Sequence, residues 1–273
     1  MRKKSVISLI SYDASYLANS IRTYYNYVDE IVLGLDKDRI SWTGNKIKFD
    51  ENKLWSELSQ IDGDNKITIV EDNFHRSSIP IENDNHERNF LKEQCSNDWV
   101  FSFDADEQLI NAKDFFTKFC PIVESYDLDL MFYWVLPYKR VENDSILVIA
   151  NSDRKSLPNN EVQSFVTQKE NTFTYCRWTN NKKVIQSPLA ILHWSFCRPD
   201  SDLDLKINNF GHSNESKQDP FYSTRQKVTL DNYKDLRNFK TSNMGPQWEA
   251  LTLIKEKDLL VYCKEQAKEM YKR

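Results

Sequence analysis

Glycine is scarce in this chain. There are five in 273 residues, and none is arranged as GxGxxG, GxxxxGK or a Gly-Gly pair. Loops that cradle phosphate with main-chain amides need such glycines, because a Cβ blocks close approach of the backbone. A phosphate bound here must therefore be held by side chains or by a metal. Cysteine is also sparse: the five, at 95, 120, 176, 197 and 263, are odd in number, widely spaced and free of any CxxC. That pattern suggests neither a disulfide framework nor a zinc ribbon and leaves reduced thiols in a core. No apolar run approaches the ~20 residues of a membrane span. The basic start Met1-Arg-Lys-Lys leads into an apolar run that stops at Ser11, too short for a signal peptide. Nor is there an excess of positive charge, since 37 Lys and Arg stand against 41 Asp and Glu for a net −4, which gives no electrostatic footprint for nucleic acid. These absences point to a cytoplasmic protein with no nucleic-acid partner, and with peripheral membrane contact allowed.

What the chain does have is enough to bury a core: 40% hydrophobic, 13% aromatic and 29% charged residues. Its length fits one large domain with appendages. Val6 to Ile10 is a short apolar run. Tyr16, Leu17, Ile21, Tyr24, Tyr25 and Val28 then recur at helical spacing, and Glu30 to Leu35 ends at Asp36. A strand, helix and strand in about 30 residues implies a parallel pair with a right-handed crossover. The rhythm repeats with a helix over 51–60, a strand from Lys66 to Val70 ending at Glu71 and Asp72, a helix from Glu82 to Cys95, and a strand from Trp99 to Phe103. The fold class is α/β, a Rossmann-like, mostly parallel sheet flanked by helices.

The second half reads as more mixed. A helix is expected from Ala112 to Ser125 and strands at Leu128–Val135, Ile146–Ala150, Phe165–Val166, Phe173–Cys176 and Ala190–Trp194, with a polar loop over 151–161. From Leu203 the pattern predicts helices to Phe210, around Val228 to Phe239, and from Pro246 to Tyr271.

The sharpest feature is Asp98-Trp-Val-Phe-Ser-Phe-Asp-Ala-Asp-Glu107, an apolar strand delivering Asp104, Asp106 and Glu107 within four residues. Positions two apart in an extended chain face the same side, so Asp104 and Asp106 can converge on a hard cation such as Mg²⁺ or Mn²⁺. Acidic surface loops are common, and the spacing alone fits either a metal site or such a loop. Ligands of open α/β sheets gather at the carboxyl ends of the strands, where these acids lie.

The order of a strand, Tyr12 and Asp13, a helix, a strand ending at Asp36, then Glu87-Arg-Asn-Phe-Leu91 ahead of the Asp-x-Asp strand, resembles the family 2 glycosyltransferases of the GT-A fold, over residues 5–110. The resemblance implies a nucleotide-binding half over 1–110 and an acceptor half over 111–200, together forming the GT-A domain, followed by a C-terminal helical extension over 201–273. It implies that Tyr12, Asp13, Asp36, Arg88 and Asp104 hold the nucleotide, with Asp72 or Glu71 bordering the base. It also implies that Asp104 and Asp106 hold Mn²⁺ or Mg²⁺, and that His193 in Leu192-His-Trp-Ser-Phe-Cys-Arg198 completes the metal site, which would favour manganese. Asp36 and Asp72 read equally as strand-end turn residues, Arg88 as a solvated helix position, and His193 as a packing residue. Arg198, Lys206 and His212 are candidates to stabilise a leaving diphosphate, or else form a solvated helix face.

The activity implied is metal-dependent transfer from a nucleoside-diphosphate sugar, a UDP-sugar first, to a glycan or lipid-linked acceptor. An inverting reaction needs a carboxylate base in the second half. The segment Tyr175-Cys-Arg-Trp-Thr-Asn-Asn-Lys-Lys183, where it is expected, holds no acid, which leaves Glu161, Asp153 and Glu170 in polar loops. Trp134, Trp178 and Trp194 are candidates to stack on sugars or to pack in a core. The alternatives are a non-catalytic nucleotide- or glycan-binding module of the same fold, and a nucleotidyltransferase, which would want a Gly-rich loop where Ser11-Tyr-Asp-Ala-Ser15 stands.

Overall fold

The structure is a computed structural model and describes residues 2–158, 162–216, 221–240 and 247–270. The chain begins as the periodicity predicts: β1 (Lys4–Ile10), α1 (Ala14–Tyr24), β2 (Glu30–Asp36), α2 (Glu51–Ile61), β3 (Ile67–Asp72), α3 (Pro80–Gln94) and β4 (Trp99–Ser102). Asp50 starts α2 by accepting a hydrogen bond from the Lys53 amide at 2.9 Å. Pro80 opens α3, where its missing N–H costs nothing. Then come β5 (Glu107–Leu109), α4 (Ala112–Asp114), a π-helical turn at Phe115–Phe119, α5 (Cys120–Val123), β6 (Asp129–Val135), β7 (Pro137–Val141), β8 (Ser145–Ala150), β9 (Val162–Gln168), β10 (Phe173–Tyr175), β11 (Trp178–Thr179) and β12 (Val184–His193). The chain closes with α6 (Asp200–Asn209), α7 (Ser213–Ser216), α8 (Phe221–Lys227), β13 (Phe239–Lys240), β14 (Gln247–Trp248), β15 (Ala250–Lys255) and α9 (Leu259–Met270).

Eight strands form the main sheet in the order β3-β2-β1-β4-β9-β6-β12-β5. The first four are parallel, β9 runs antiparallel to β4 and β6, β12 is parallel to β6, and β5 is antiparallel to β12. This is the mixed α/β class expected. Every residue of β1 is buried because both faces are covered. Val6 and Ile10 pack with Leu17, Ile21, Tyr24 and Phe101 on one side, while Ile7 and Leu9 pack with Val32, Trp42, Leu91 and Val100 on the other. Gly34 in β2 lets α3 approach: a Cβ there would lie 2.6 Å from Glu87 Oε1 and 2.7 Å from Leu91 Cδ1. The parallel register pairs Asp36 with Asp72 and Ile7 with both Val32 and Ser102, so the ends of these strands share one edge.

Two expectations need correction. The described residues after 200 carry the helices α6 to α9 but are not helical throughout. Ala250–Lys255 is a strand, paired antiparallel to all of Ser145–Ala150 in a second sheet, β15-β8-β7. Of the helix expected from Pro246 to Tyr271, a 3₁₀ turn at Glu256–Asp258 and the α-helix Leu259–Met270 are helical, and Pro246 and Tyr271 lie outside the described residues. Pairing with a strand about 100 residues earlier overrides the local helical pattern, because it buries Leu251 beside Leu147 and Ile149. The helix expected around Val228 to Phe239 is also absent. Residues 228–238 are turns in which Asn232 accepts from the Thr229 amide and donates to the Lys227 carbonyl, while Val228 and Tyr233 pack beneath Tyr138 and Trp248. Among the described residues no helix is long and apolar enough to cross a membrane.

Candidate functional site

The chain leaves the sheet at Ser102 and turns through Asp104-Ala-Asp-Glu107 before re-entering as β5. Glu107, fully buried, holds this turn. Its Oε2 accepts from the Asp104 amide at 3.0 Å and from Arg177 Nη1 at 2.7 Å, and its Oε1 accepts from Arg177 Nη2 at 2.9 Å and from Trp134 Nε1 at 2.8 Å. The two parallel bonds to one guanidinium form the strongest kind of side-chain ion pair. Arg177 also donates to the Ser102 carbonyl and lies 5.3 Å and 5.6 Å from the rings of Phe132 and Trp134.

Asp104 is the more open member of the pair, with its side chain 27% exposed. Arg88 Nη2 donates to its Oδ1 at 2.9 Å, and Arg177 Nη2 stands 3.6 Å from its Oδ2. Burial pushes this carboxyl up, and Arg177 and Arg88 outweigh burial, so it is held below the usual carboxylate range. Arg88 is not a solvated helix residue. It is buried and fixed by Asp84 at 2.8 Å and Ser102 Oγ at 2.7 Å, which aims its remaining arm at Asp104.

Asp106 points inward and is enclosed by cations. Its Oδ2 accepts from Lys206 Nζ at 2.9 Å and from Arg198 Nη2, and its Oδ1 faces His193 Nε2 at 3.3 Å. Burial opposes ionisation, yet Lys206, His193 and Arg198 together hold the carboxyl well below its ordinary range. His193 lies with its ring 4.7 Å from Trp134, and its Nδ1 is buried with no hydrogen-bond partner. Asp13, at the end of β1, is buried 3.7 Å from Arg198. Burial first, and the negative Asp106 second, push it up to about 6.

Tyr12 borders this cluster: it is half-buried against Ile7, Leu9 and Trp42, and burial first, with Asp13 second, pushes its hydroxyl up. Not every candidate joins it. Asp36 is a turn organiser: its Oδ1 accepts from the amides of Asp38 and Ile40 and its Oδ2 from Phe74, at 2.9 to 3.0 Å. Asp72 accepts from the Asn73 amide and pairs with Arg76 at 3.2 Å, and Glu71 pairs with Arg39 at 2.8 Å. Asp153 caps its own loop through Lys155 and Ser156, and Glu170 is exposed next to Lys169, whose amide bonds Asp98 at the opposite end of β4. Glu161 lies outside the described residues. Trp194 donates to Gln108 and lies under Arg140, while Trp178 is 38% exposed. His212 sits against Cys176 Sγ at 3.2 Å and Tyr175 OH at 3.4 Å, on the Asp84 side of the site.

Asp104, Asp106 and His193 do come together, yet the donor set does not fit a divalent cation as arranged. A hard dication takes carboxylate lone pairs at about 2.0 to 2.6 Å. Here those lone pairs already face guanidinium and ammonium protons, and a dication on the same oxygens would be repelled by them. Among the described residues no group of three His, Cys, Asp or Glu is placed to hold a metal.

No family model matches this chain, and no curated protein matches it. Solved structures do. S. aureus TarS matches 86% of this chain and 45% of its own length at 13% identity, with a TM-score of 0.41. A TarS 1–349 structure in complex with UDP-GlcNAc matches at 84% and 77%, with 12% identity and a TM-score of 0.39. The 4-diphosphocytidyl-2C-methyl-D-erythritolsynthase from Anaerococcus prevotii matches at 74% and 95%, with 13% identity and a TM-score of 0.41. The chain therefore spans less than half the length of the first TarS chain.

Sequence reasoning missed Arg177 and its pair with Glu107. The signal was present in the very segment searched for an acid: an arginine between Cys176 and Trp178, with aromatic neighbours rather than the polar setting of a surface cation.

Proposed function

We propose that this chain is a glycosyltransferase of the GT-A class that moves a sugar from a nucleoside-diphosphate sugar, a UDP-sugar first, to a hydroxyl of a glycan or lipid-linked acceptor. One observation carries the reading. At the carboxyl edge of the parallel strands, Asp104 is partly open to solvent and locked in orientation by Arg88 and Arg177, beside a second carboxylate set between Arg198 and Lys206. A fixed, ionised acceptor suits ribose hydroxyls, and Tyr12 and Asp13 line the approach from the end of β1. In the transfer, the bond from the anomeric carbon to the diphosphate oxygen breaks as the acceptor oxygen bonds to that carbon and its proton passes to water, and positive groups already in place stabilise the charge left on the diphosphate. The turn Ser11-Tyr-Asp-Ala-Ser15 has no glycine, which disfavours nucleotidyl transfer.

The test is a thermal-shift screen of UDP-, GDP- and TDP-sugars, followed by chromatography of released nucleoside diphosphate. A ligand that binds only the native state raises its melting temperature by mass action. Selective stabilisation together with nucleotide release supports the enzyme. Stabilisation without release makes the chain a binding module, and no response from any nucleotide removes the reading.

A further inference from the structure

We propose that the donor's diphosphate is held directly by side-chain cations, chiefly Lys206 and Arg198, with no divalent metal between protein and phosphate. The proposal rests on the glycosyltransferase reading and assigns the diphosphate subsite within it.

Three features of the cluster support it. The first is the state of Asp106, whose Oδ2 is shared by Lys206 and Arg198 while its Oδ1 faces His193, so a dication on this carboxylate would stand against two cations at the neighbouring oxygen. The second is unused donor capacity. Lys206 has three ammonium protons and, among the described residues, makes one hydrogen bond, to Asp106. Arg198 engages Nε with the Trp194 carbonyl at 3.0 Å and Nη2 with Asp106. Lys206 keeps two ammonium protons for an anion and its side chain is 9% exposed against 1% for Arg198, so it is the cation a diphosphate reaches first. The third is charge: Lys206 and Arg198 are permanent cations balanced by Asp106 and by Asp13, which lies 3.7 Å from Arg198, so a diphosphate is drawn by the two cations themselves rather than by a net excess of charge. Arg198 lies over the Tyr16 ring at 4.6 Å, which fixes its plane, and α6 fixes Lys206. With so few glycines, no amide-lined loop competes for the phosphates. Fixed cations at this position do the electrostatic work otherwise given to a dication, and need no reorganisation when charge develops on the leaving group.

The experiment is calorimetric titration of the full chain with UDP, GDP and TDP, once in Mn²⁺ and once in EDTA, with uridine as the phosphate-free probe. Expected are UDP affinities within about threefold in the two buffers, and a loss of at least about tenfold in Lys206→Met, the size of one hydrogen bond to a charged group. Uridine affinity should stay unchanged in that variant, and Lys206→Arg should recover most of the loss. Diphosphate binding that appears only with Mn²⁺ overturns the proposal and leaves the donor reading standing. If no nucleotide binds in either buffer, both fall. Should Lys206→Met fail to fold, the wild-type comparison of EDTA with Mn²⁺ and the Lys206→Arg variant still decide the matter.

Discussion

The tip of β4 and the segments that close over it carry opposite charge. Asp13, Asp84, Asp104, Asp106 and Glu107 all precede residue 110, whereas Arg177, Arg198 and Lys206 come from the β10–β11 turn, the segment after β12 and α6, with Arg88 the exception. Elsewhere the later residues assemble by apolar contact, as where Tyr138, Leu147, Ile149, Trp248 and Leu251 form a core of their own. The difference teaches that this molecule is joined at its site by ion pairs and away from it by packing. An acid cluster at a strand tip is unstable alone. It becomes a rigid feature only when the far part of the chain delivers cations to it, so folding the second part is the same event as building the site.

The strongest way to break that contrast is Glu107→Ala, which removes the bidentate partner of buried Arg177 and leaves it only Asp104, 3.6 Å away. We expect a loss of about 3–5 kcal/mol in urea unfolding, with Glu107→Leu/Arg177→Met recovering a good part because both charges then go together. A loss below about 1 kcal/mol in the single variant would mean that the pair does not hold the two parts together. A smaller effect is expected on the packing side of the first region. Gly34→Ala must displace buried Glu87 and Leu91, costing about 1–3 kcal/mol in the same assay, and an unchanged midpoint would show that α3 yields freely.

The third test is one of pH. Burial pushes Glu87 up to about 8, with the Trp42 indole N–H at 2.7 Å opposing the shift. An acid whose folded value lies above its unfolded value destabilises the native state as it ionises, so stability falls as pH rises from about 4.5 to 8 and stays low above that. Glu87→Gln keeps an acceptor for Trp42 without the charge. It should match the wild type near pH 5 and exceed it by at least about 1 kcal/mol at pH 9, read from melting curves. Parallel pH profiles would show that Glu87 ionises without penalty. The smallest effect is expected for Asp153→Asn, within about 0.5 kcal/mol and with no change in nucleotide release, because this acid serves its own loop. A collapse of turnover would return it to the site as a base.

The first four strands and their helices were legible because each is a local pattern: Val6 to Ile10 and Trp99 to Phe103 are apolar runs interrupted only by Ser8 and Ser102, and their ends carry the acids. Asp104 and Asp106 could be singled out by the same means. Pro137–Val141 was not legible as a strand, nor Ala250–Lys255, since both gain their identity from pairing with Ser145–Ala150. Asp36 illustrates the converse: its place at a strand end suggested a ligand, and three backbone amides converging on it make it a turn organiser.

By itself the sequence determined that acidic groups would sit at the end of an apolar strand in an α/β sheet, because side-chain alternation and strand burial are local consequences of residue order. Only the tertiary structure decided what those acids face. Arg177, Arg198 and Lys206 lie 70 to 100 residues away along the chain, and no local rule specifies which buried carboxylate such a distant cation will meet. That choice sets whether Asp106 can bind a dication or is already neutralised, because the same oxygen lone pairs cannot serve both.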